Sequence, residues 1–210
     1  MPITPFCTDA DLLAWEPNIF RDAPFASQTL LAGTGTLSGT SFTIESGSFA
    51  DAGIAADHVI TLGGDIDGCF PIRAVDSDTA ITVSALDQLN EPSELTPPLS
   101  AGGPIPFAIR TFRPQREIVT QLIAQAGSLE STDELLNADV LARPCALGTF
   151  ELIYSALAAI SDNELASRRA AFYERLYRRA LRHITIEVDT NGDGQLDERR
   201  TLSVLRFQRA

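Results

Sequence analysis

The chain has 210 residues, of which 44% are hydrophobic and 21% are charged, and its formal net charge is −12. This length and composition are typical of a globular protein of one or two domains. The acidic balance argues against a general binder of nucleic acid or of anionic membranes.

The basic residues are unevenly placed, and all 16 of them are arginine. Residues 1–159 carry 6 Arg against 20 Asp and Glu, a net charge of −14, whereas residues 160–210 carry 10 Arg against 8, a net charge of +2. Arginine makes forked, bidentate contacts with carboxylates, so this distribution favours protein interfaces in the C-terminal part of the chain.

The cysteines and the N-terminus indicate where the chain is made. Cys7, Cys69 and Cys145 are far apart and form no CxxC motif, which predicts reduced thiols and assembly inside the cell. The N-terminal residues lack a basic segment and reach Asp9 and Asp11 early, so we expect no signal peptide and synthesis in the cytoplasm.

Residues 8–14 are predicted to form a short helix that is capped by Thr8, and residues 17–20 begin another turn. Together they carry an apolar cluster, made of Leu12, Leu13, Trp15, Ile19 and Phe20. Such a cluster either packs on a helical core or forms an arm that binds a partner, with Trp15 as its largest contact.

Between residues 27 and 110 the pattern changes to short alternating runs with turn residues roughly every ten positions. This pattern predicts a small antiparallel barrel or sandwich with strands at 40–44, 58–62, 69–75, 80–83 and 105–109. Residues 90–106 are predicted to be an exposed, proline-rich loop. Residues 33–39 contain three glycines but no GK[ST], so we interpret them as a turn and not as a phosphate loop.

Helical periodicity returns after Pro114. Residues 117–126 are predicted to form a helix with Ile118, Val119, Leu122 and Ile123 facing inward. Residues 146–161 form a second helix, which is apolar nearly all round and is therefore expected to be covered on every side. It is too short, and carries a glutamate, to be interpreted as a membrane span.

Residues 164–183 are predicted to form an amphipathic helix capped by Asn163. Its polar side carries a row of arginines, Arg168, Arg175, Arg179 and Arg182, with Arg178 beside them. Such a row is either a solvated face or, because aligned arginines repel one another, a surface for an acidic partner. Arg169 falls on the apolar side, where Glu151 is a candidate partner.

The chain ends in a predicted hairpin of residues 184–188 and 201–207, joined by a turn rich in Asp, Asn and Gly. In that turn Asp189, Asn191, Asp193 and Asp197 occupy positions 1, 3, 5 and 9 of a calcium loop, with glycine at position 6. Position 12 is an arginine where an EF-hand has glutamate. Two interpretations stay open, a looser Ca²⁺ site between strands and a metal-free turn.

Catalytic motifs are lacking in the sequence. His58 and His183 are its two histidines, and there is neither an HExxH nor a GxSxG pattern. We therefore predict a protein that is not an enzyme and that has no cofactor, calcium excepted. A hydrolase that uses Cys or Asp residues is a weaker alternative.

These elements predict an α+β fold. Residues 1–26 and 111–183 form a helical bundle, residues 27–110 an inserted small antiparallel β-barrel-like module, and residues 184–210 a C-terminal β-hairpin and tail. Insertion of such a module is tolerated where its ends lie close together.

The order of these segments is similar to that of a known family. TDADLL (8–13) and EPNIFR (16–21) open the chain, and a β insertion follows. LIY (152–154) and YERLYRR (173–179) lie in the two long helices, and DTNGDGQLD (189–197) turns the hairpin. This pattern resembles the head–tail adaptor (connector, head-completion) proteins of tailed bacteriophages, at the level of architecture over most of the chain.

The resemblance implies a structural protein of the virion neck that forms a homo-oligomeric ring, often of twelve copies, below the portal protein. Such a ring closes the DNA-filled head and gives the tail, or the next neck or tail-terminator protein, a docking surface. DNA passes through its lumen without specific binding, and no membrane is involved. Interface residues are then expected at the five arginines of the row, at Trp15 and at Phe207. The alternative is a calcium-dependent binding module that uses the β domain as its recognition surface.

Overall fold

The computed structural model describes residues 4–86, 95–98, 102–129 and 131–202. Within them lie five α-helices and eight strands. In chain order these are α1 (Asp9–Trp15), α2 (Ile19–Asp22), β1 (Thr29–Ser38), β2 (Ser41–Ile44), β3 (Val59–Leu62), β4 (Gly68–Ser77), β5 (Ala80–Val83), β6 (Ile105–Arg110), α3 (Arg113–Ala126), α4 (Ala142–Ser161), α5 (Glu164–Leu181), β7 (Thr185–Val188) and β8 (Glu198–Thr201). The chain divides into two compact units: Asp9–Phe112, called here the barrel unit, and the residues on either side of it, the helical unit.

The barrel unit contains a closed antiparallel barrel of six strands in the order β1-β2-β5-β4-β3-β6. Closure is made by β1 and β6, which place Gly33 opposite Phe107. Alternate side chains of the strands point inward and form the core, among them Leu37, Phe42, Ile60, Ile72, Ile81, Val83 and Ile109, each at most 1% exposed. The predicted antiparallel barrel is therefore confirmed. Of the predicted loop at 90–106, residues 90–94 and 99–101 lie outside the described residues, and its last two residues already belong to β6.

Residues 33–39 are strand for most of their length, so their interpretation as a turn was wrong. β1 runs through Gly33 and Gly35, and only Gly39, with φ of +62°, belongs to a turn. A Cβ atom on Gly35 would lie 2.4 Å from Cζ of Phe42 and 2.6 Å from the carbonyl oxygen of Thr43. Glycine is needed here because the Phe42 ring fills the space that a side chain would occupy.

The barrel unit also includes α1 and α2, whereas the sequence analysis grouped residues 1–26 with the helices that follow the barrel. The carboxylate of Asp9, which is fully buried at the start of α1, accepts hydrogen bonds from Thr111 Oγ1 at 2.6 Å and from the Phe112 amide at 3.1 Å. These two hydrogen bonds join α1 to the segment that leaves β6.

In the helical unit, α4 packs against both α3 and α5. Residues 144–150 of α4 are all buried, as expected for a helix that is apolar all round, but Ile160 near its end is 73% exposed. Close packing depends on Gly148, where a Cβ atom would lie 2.8 Å from Val119 Cγ1 and 3.2 Å from Tyr177 Cε2. Ala138–Ser161 is long and apolar enough to cross a bilayer, yet half of the tested stretch is buried within the fold, as in a core helix.

The inward face of α3 is only partly as predicted. Val119 and Ile123 are buried, but Ile118 and Leu122 are 49% and 37% exposed. Two polar residues complete the buried face instead, Arg116 and Thr120. They are accommodated because the N-terminal segment lies against them: Arg116 Nη1 donates to the Cys7 carbonyl at 2.7 Å, and Thr120 Oγ1 accepts from the Phe6 amide at 3.1 Å.

The C-terminal hairpin is formed by β7 and β8, which pair Thr185 with Thr201. The predicted return strand at 201–207 therefore lies earlier, and residues 203–210 are outside the described residues. Ile186, Val188 and Leu202 are at most 1% exposed. These buried side chains make the hairpin part of the helical unit's core.

Candidate interaction surface

Helix α5 begins at the predicted cap. Asn163 Oδ1 accepts hydrogen bonds from the amides of Leu165 at 3.0 Å and Ala166 at 3.2 Å, which satisfies two of the free N–H groups of the first turn. The residue before it, Asp162, adopts the left-handed conformation that ends α4. This tight connection makes α4 and α5 a helical hairpin, whose outer face carries the arginine row.

Two of the five arginines in the row are neutralised on their own helix. Arg168 pairs with Glu164 and Arg178 pairs with Glu174, each at 2.6 Å and four residues apart. Exposed pairs of this kind contribute little to stability, but they lower the net charge of the row. The sequence analysis underestimated the acidic neighbours of these two arginines.

Arg175, Arg179 and Arg182 differ from them. Among the residues that the structure describes, no carboxylate lies within ion-pair distance of these three side chains, and Arg175 Nε donates to the backbone carbonyl of Ala171 at 3.2 Å. Their spacing of four and three residues places them on one face of the helix. Like charges at such spacing repel by a few tenths of a kcal/mol for each pair (about 0.2–0.5), so an acidic partner would relieve this repulsion.

A groove of about 560 Å³ lies beside this face, between the start of α4 and the end of α5. Pro144, Leu147, Leu176 and Ile184 give it an apolar lining, and Arg179 and His183 add polar groups. An apolar groove with cationic groups suits a segment that carries both hydrophobic and acidic side chains.

Apolar side chains also extend toward the connection between the two helices. Ile160, Leu165 and Phe172 are 73%, 62% and 49% exposed. The inward face of α5 is built instead from Ala166, Ala170, Tyr173 and Leu181. The two alanines are small enough to let α5 lie close to α4, whereas Leu165 and Phe172 lie outside this face.

The turn of the C-terminal hairpin is organised around the carboxylate of Asp189, which is 6% exposed. It accepts hydrogen bonds from four backbone N–H groups, those of Asn191 (3.2 Å), Gly192 (2.7 Å), Asp193 (3.3 Å) and Gly194 (2.6 Å). Desolvation raises the pKa of Asp189, but these N–H groups outweigh it, and the pKa lies below its ordinary value.

The other predicted calcium ligands have partners within the same turn. Asp197 Oδ2 accepts from the amide and the hydroxyl of Thr190, Asn191 Oδ1 accepts from the Asp193 amide, and Asp193 Oδ1 accepts from the Gln195 amide. The described part of the chain contains no group of three or more His, Cys, Asp or Glu residues placed to hold a metal ion. Hydrogen bonding within the turn accounts for this pattern of Asp, Asn and Gly.

The remaining predicted residues are dispersed. Trp15 belongs to the barrel unit and is 48% exposed, and Phe207 lies outside the described residues. His58 is buried and accepts a hydrogen bond from the Ala55 amide at Nδ1, a structural role. Burial raises the pKa of the Cys69 thiol to about 11, which is the reverse of an activated nucleophile.

Sequence analysis missed one pair of reactive groups. Cys7 and Cys145 are 138 positions apart, yet their Sγ atoms are separated by 2.9 Å in the interior of the helical unit. Sequence spacing gives no indication of this contact, because it depends on how the N-terminal segment packs on α3 and α4.

Charge is segregated between the two units. The barrel unit carries 14 Asp and Glu against 3 Arg, a net charge of −11, whereas the rest of the chain carries 14 against 13, a net charge of −1. The helical unit thus combines a nearly neutral balance with a local cationic face.

No protein-family model, curated protein or solved structure matches this chain.

Proposed function

We propose that this chain is a structural adaptor of the neck of a tailed bacteriophage, which forms a homo-oligomeric ring of twelve copies beneath the portal. The ring closes the DNA-filled head and offers a docking surface to the next neck protein, the tail terminator or the tail. On this proposal α3, α4 and α5 act as the helical bundle of the adaptor, and the barrel is its insertion.

The observation that carries the proposal is the outer face of α5. Arg175, Arg179 and Arg182 are not paired with any described carboxylate, and the exposed side chains of Leu165 and Phe172 lie on the same helix. A helix that exposes both unpaired cations and large apolar groups is suited to a protein interface, where both are buried against a partner.

The charge segregation supports a ring in particular. In a heterologous ring one face of each copy meets a different face of the next copy. A chain with a cationic helix face and a barrel unit of net charge −11 carries both members of a complementary pair. Acidic groups facing the lumen would also repel passing DNA and keep it from adhering.

Native mass tests this proposal. Light scattering and negative-stain imaging are applied to the protein alone and to the protein mixed with the portal encoded by the same genome. We expect a ring-shaped complex of both proteins on mixing. A monomer that does not bind the portal would contradict the proposal.

The calcium-dependent binding module is a weaker candidate, since the oxygens that would coordinate the ion accept hydrogen bonds from the turn itself. Melting temperature with and without calcium distinguishes the two candidates, because a ligand that binds only the folded state raises it. We expect no increase on addition of calcium. An increase that Asp189→Asn abolishes would favour the binding module.

A further inference from the structure

Cys7 and Cys145 are placed as partners of a covalent bond. Their Sγ atoms are 2.9 Å apart, and a disulfide requires a separation of about 2.05 Å. Both side chains are buried, with exposures of 2% and 0%, so no other thiol of a folded chain competes for either sulfur. The third cysteine, Cys69, lies in the barrel unit.

The two backbones are held in position on both sides of this contact. Arg116 Nη1 donates to the carbonyl oxygen of Cys7, and the amide of Phe6 donates to Thr120 Oγ1. Thr120 Oγ1 in turn lies 3.6 Å from the Cys145 sulfur. These contacts hold the two cysteines next to each other, so their sulfur atoms stay close in the folded chain.

The surroundings also favour the thiolate form of Cys145. The hydrogen bond from Cys7 lowers the pKa of Cys145 and outweighs burial, which raises it, while Thr120 and the Arg116 guanidinium act in the same direction as Cys7. A thiolate is the nucleophile in disulfide chemistry.

We propose that Cys7 and Cys145 form a reversible intrachain disulfide when a small-molecule disulfide such as oxidised glutathione is the oxidant. The Cys145 thiolate attacks one sulfur of the oxidant, whose S–S bond breaks and releases one thiolate, which takes up a proton. Cys7 then loses its proton and attacks the Cys145 sulfur of the mixed disulfide, releasing the second thiolate. Two protein thiols are oxidised and one small disulfide is reduced to two thiols.

This bond would join the N-terminal segment to the central helix of the helical unit. The loop that it closes contains the whole of the barrel unit, since Cys7 precedes Asp9 and Cys145 follows Phe112. Because both thiols are buried, the oxidant reaches them only when the N-terminal segment separates from α3 and α4. The reaction is therefore expected to be slow in the folded protein and to become faster in mild denaturant.

The experiment uses the full chain, reduced and then equilibrated with oxidised glutathione. We expect the intact mass to fall by two hydrogens, free thiols counted after denaturation to fall from three to one, and a peptide map to link Cys7 to Cys145. Oxidation should also raise the melting temperature. Retention of all three thiols, a stable glutathione adduct as the end product, or a link to Cys69 would overturn the proposal.

Matched variants separate the pair from the lone cysteine. Cys69→Ser is expected to form the same link as the wild type and to show the same increase in melting temperature. Cys7→Ser leaves Cys145 without its partner. In this variant oxidation is expected to end at a glutathione adduct of Cys145, and the melting temperature should not increase. The peptide map of the unaltered chain decides the matter even if a variant folds poorly. The test involves no other phage protein, so its outcome is independent of the proposed function.

Discussion

The guanidinium of Arg169 donates a hydrogen bond of 2.6 Å to the hydroxyl of Tyr154, which joins α5 to α4 through a polar contact at the edge of the core. The same guanidinium lies 5.3 Å from the centroid of the Tyr154 ring. Sequence analysis proposed Glu151 as the partner, but Glu151 accepts from Ser155 instead. The phenol is the partner because it is buried, at 1% exposure, and so its hydroxyl needs one.

Replacing Arg169 with alanine should destabilise the helical unit. It removes a hydrogen bond with a charged donor, a type that contributes about 1.5–3 kcal/mol, and we expect a loss of that size in the free energy of unfolding measured with urea. Arg168→Ala on the same helix removes only an exposed pair with Glu164 and should cost less than about 1 kcal/mol. Equal losses in the two variants would contradict this assignment.

Gly148→Ala should lower stability although alanine favours helices. Alanine gains about 1 kcal/mol in intrinsic helix propensity, but its Cβ would lie 2.8 Å from Val119 Cγ1, and overpacking costs about 1–3 kcal/mol. We expect a net loss in a urea titration. Val119→Ala removes the atom nearest to the new Cβ. The double variant should therefore lose less unfolding free energy than the two single variants lose in sum. If Gly148→Ala proved more stable than the wild type, the close contact with Val119 would not cost stability, and this prediction would be wrong.

Asp189 should make stability depend on pH in the acidic range. The turn's N–H groups stabilise its ionised form, so the folded-state pKa lies below the unfolded value of about 3.9. The stability that this pKa difference contributes is fully present above the unfolded-state pKa, and it is lost as the pH falls through the folded-state pKa. Asp189→Asn should therefore be less stable than the wild type at neutral pH and lose less stability on acidification. Asp193→Asn, whose carboxylate accepts from the Gln195 amide, is the control that should retain most of the wild-type slope.

Charge reversal on α5 tests the proposed interface. Arg175→Glu with Arg179→Glu should abolish binding to the portal, measured by co-sedimentation, and leave the circular dichroism and melting temperature of the monomer nearly unchanged. Arg168→Glu with Arg178→Glu introduces the same charge on the same helix at arginines that are already paired, and should weaken binding less. Undiminished binding by the first variant would exclude this face.

A truncation after Leu202 tests whether the C-terminal tail is needed. A chain that ends at Leu202 keeps the buried side chains of Ile186, Val188 and Leu202 and should melt close to the full-length protein. If the tail that contains Phe207 docks onto a partner, this chain should fail to join heads to tails. Ending the chain at His183 is a poorer test, because it removes the hairpin from the core and should lower the melting temperature strongly. Normal assembly by the chain ending at Leu202 would show that residues 203–210 are dispensable.

The sequence predicts much of the barrel, because alternation and turn residues are local properties. Strands β2 to β6 follow from that pattern, and their spacing predicts an antiparallel barrel or sandwich, of which the structure has the barrel. β1 was missed because Gly33 and Gly35 resemble turn residues, and only the position of the Phe42 ring explains why glycine occurs within a strand. Composition cannot distinguish a glycine that turns the chain from one that makes room for a neighbour.

Contacts between distant segments account for the other differences. The arginine row and its cap at Asn163 are periodic and local, and the sequence places them correctly on one helix. The two neutralised arginines were recognisable from glutamates four residues before them. By contrast, the thiol pair of Cys7 and Cys145 and the hydrogen bonds of Asp9 join residues more than 100 positions apart. No local pattern encodes them.

Closure of the barrel through β1 and β6 affects how the chain behaves when many copies lie close together. Each of the six strands has two neighbours, so the barrel offers no unpaired edge onto which a foreign strand can add and from which aggregates can grow. Many copies can therefore be packed side by side at high local concentration without β-polymerisation through this unit. β8 differs, since its only strand neighbour among the described residues is β7, and a strand added from another chain would pair at that edge.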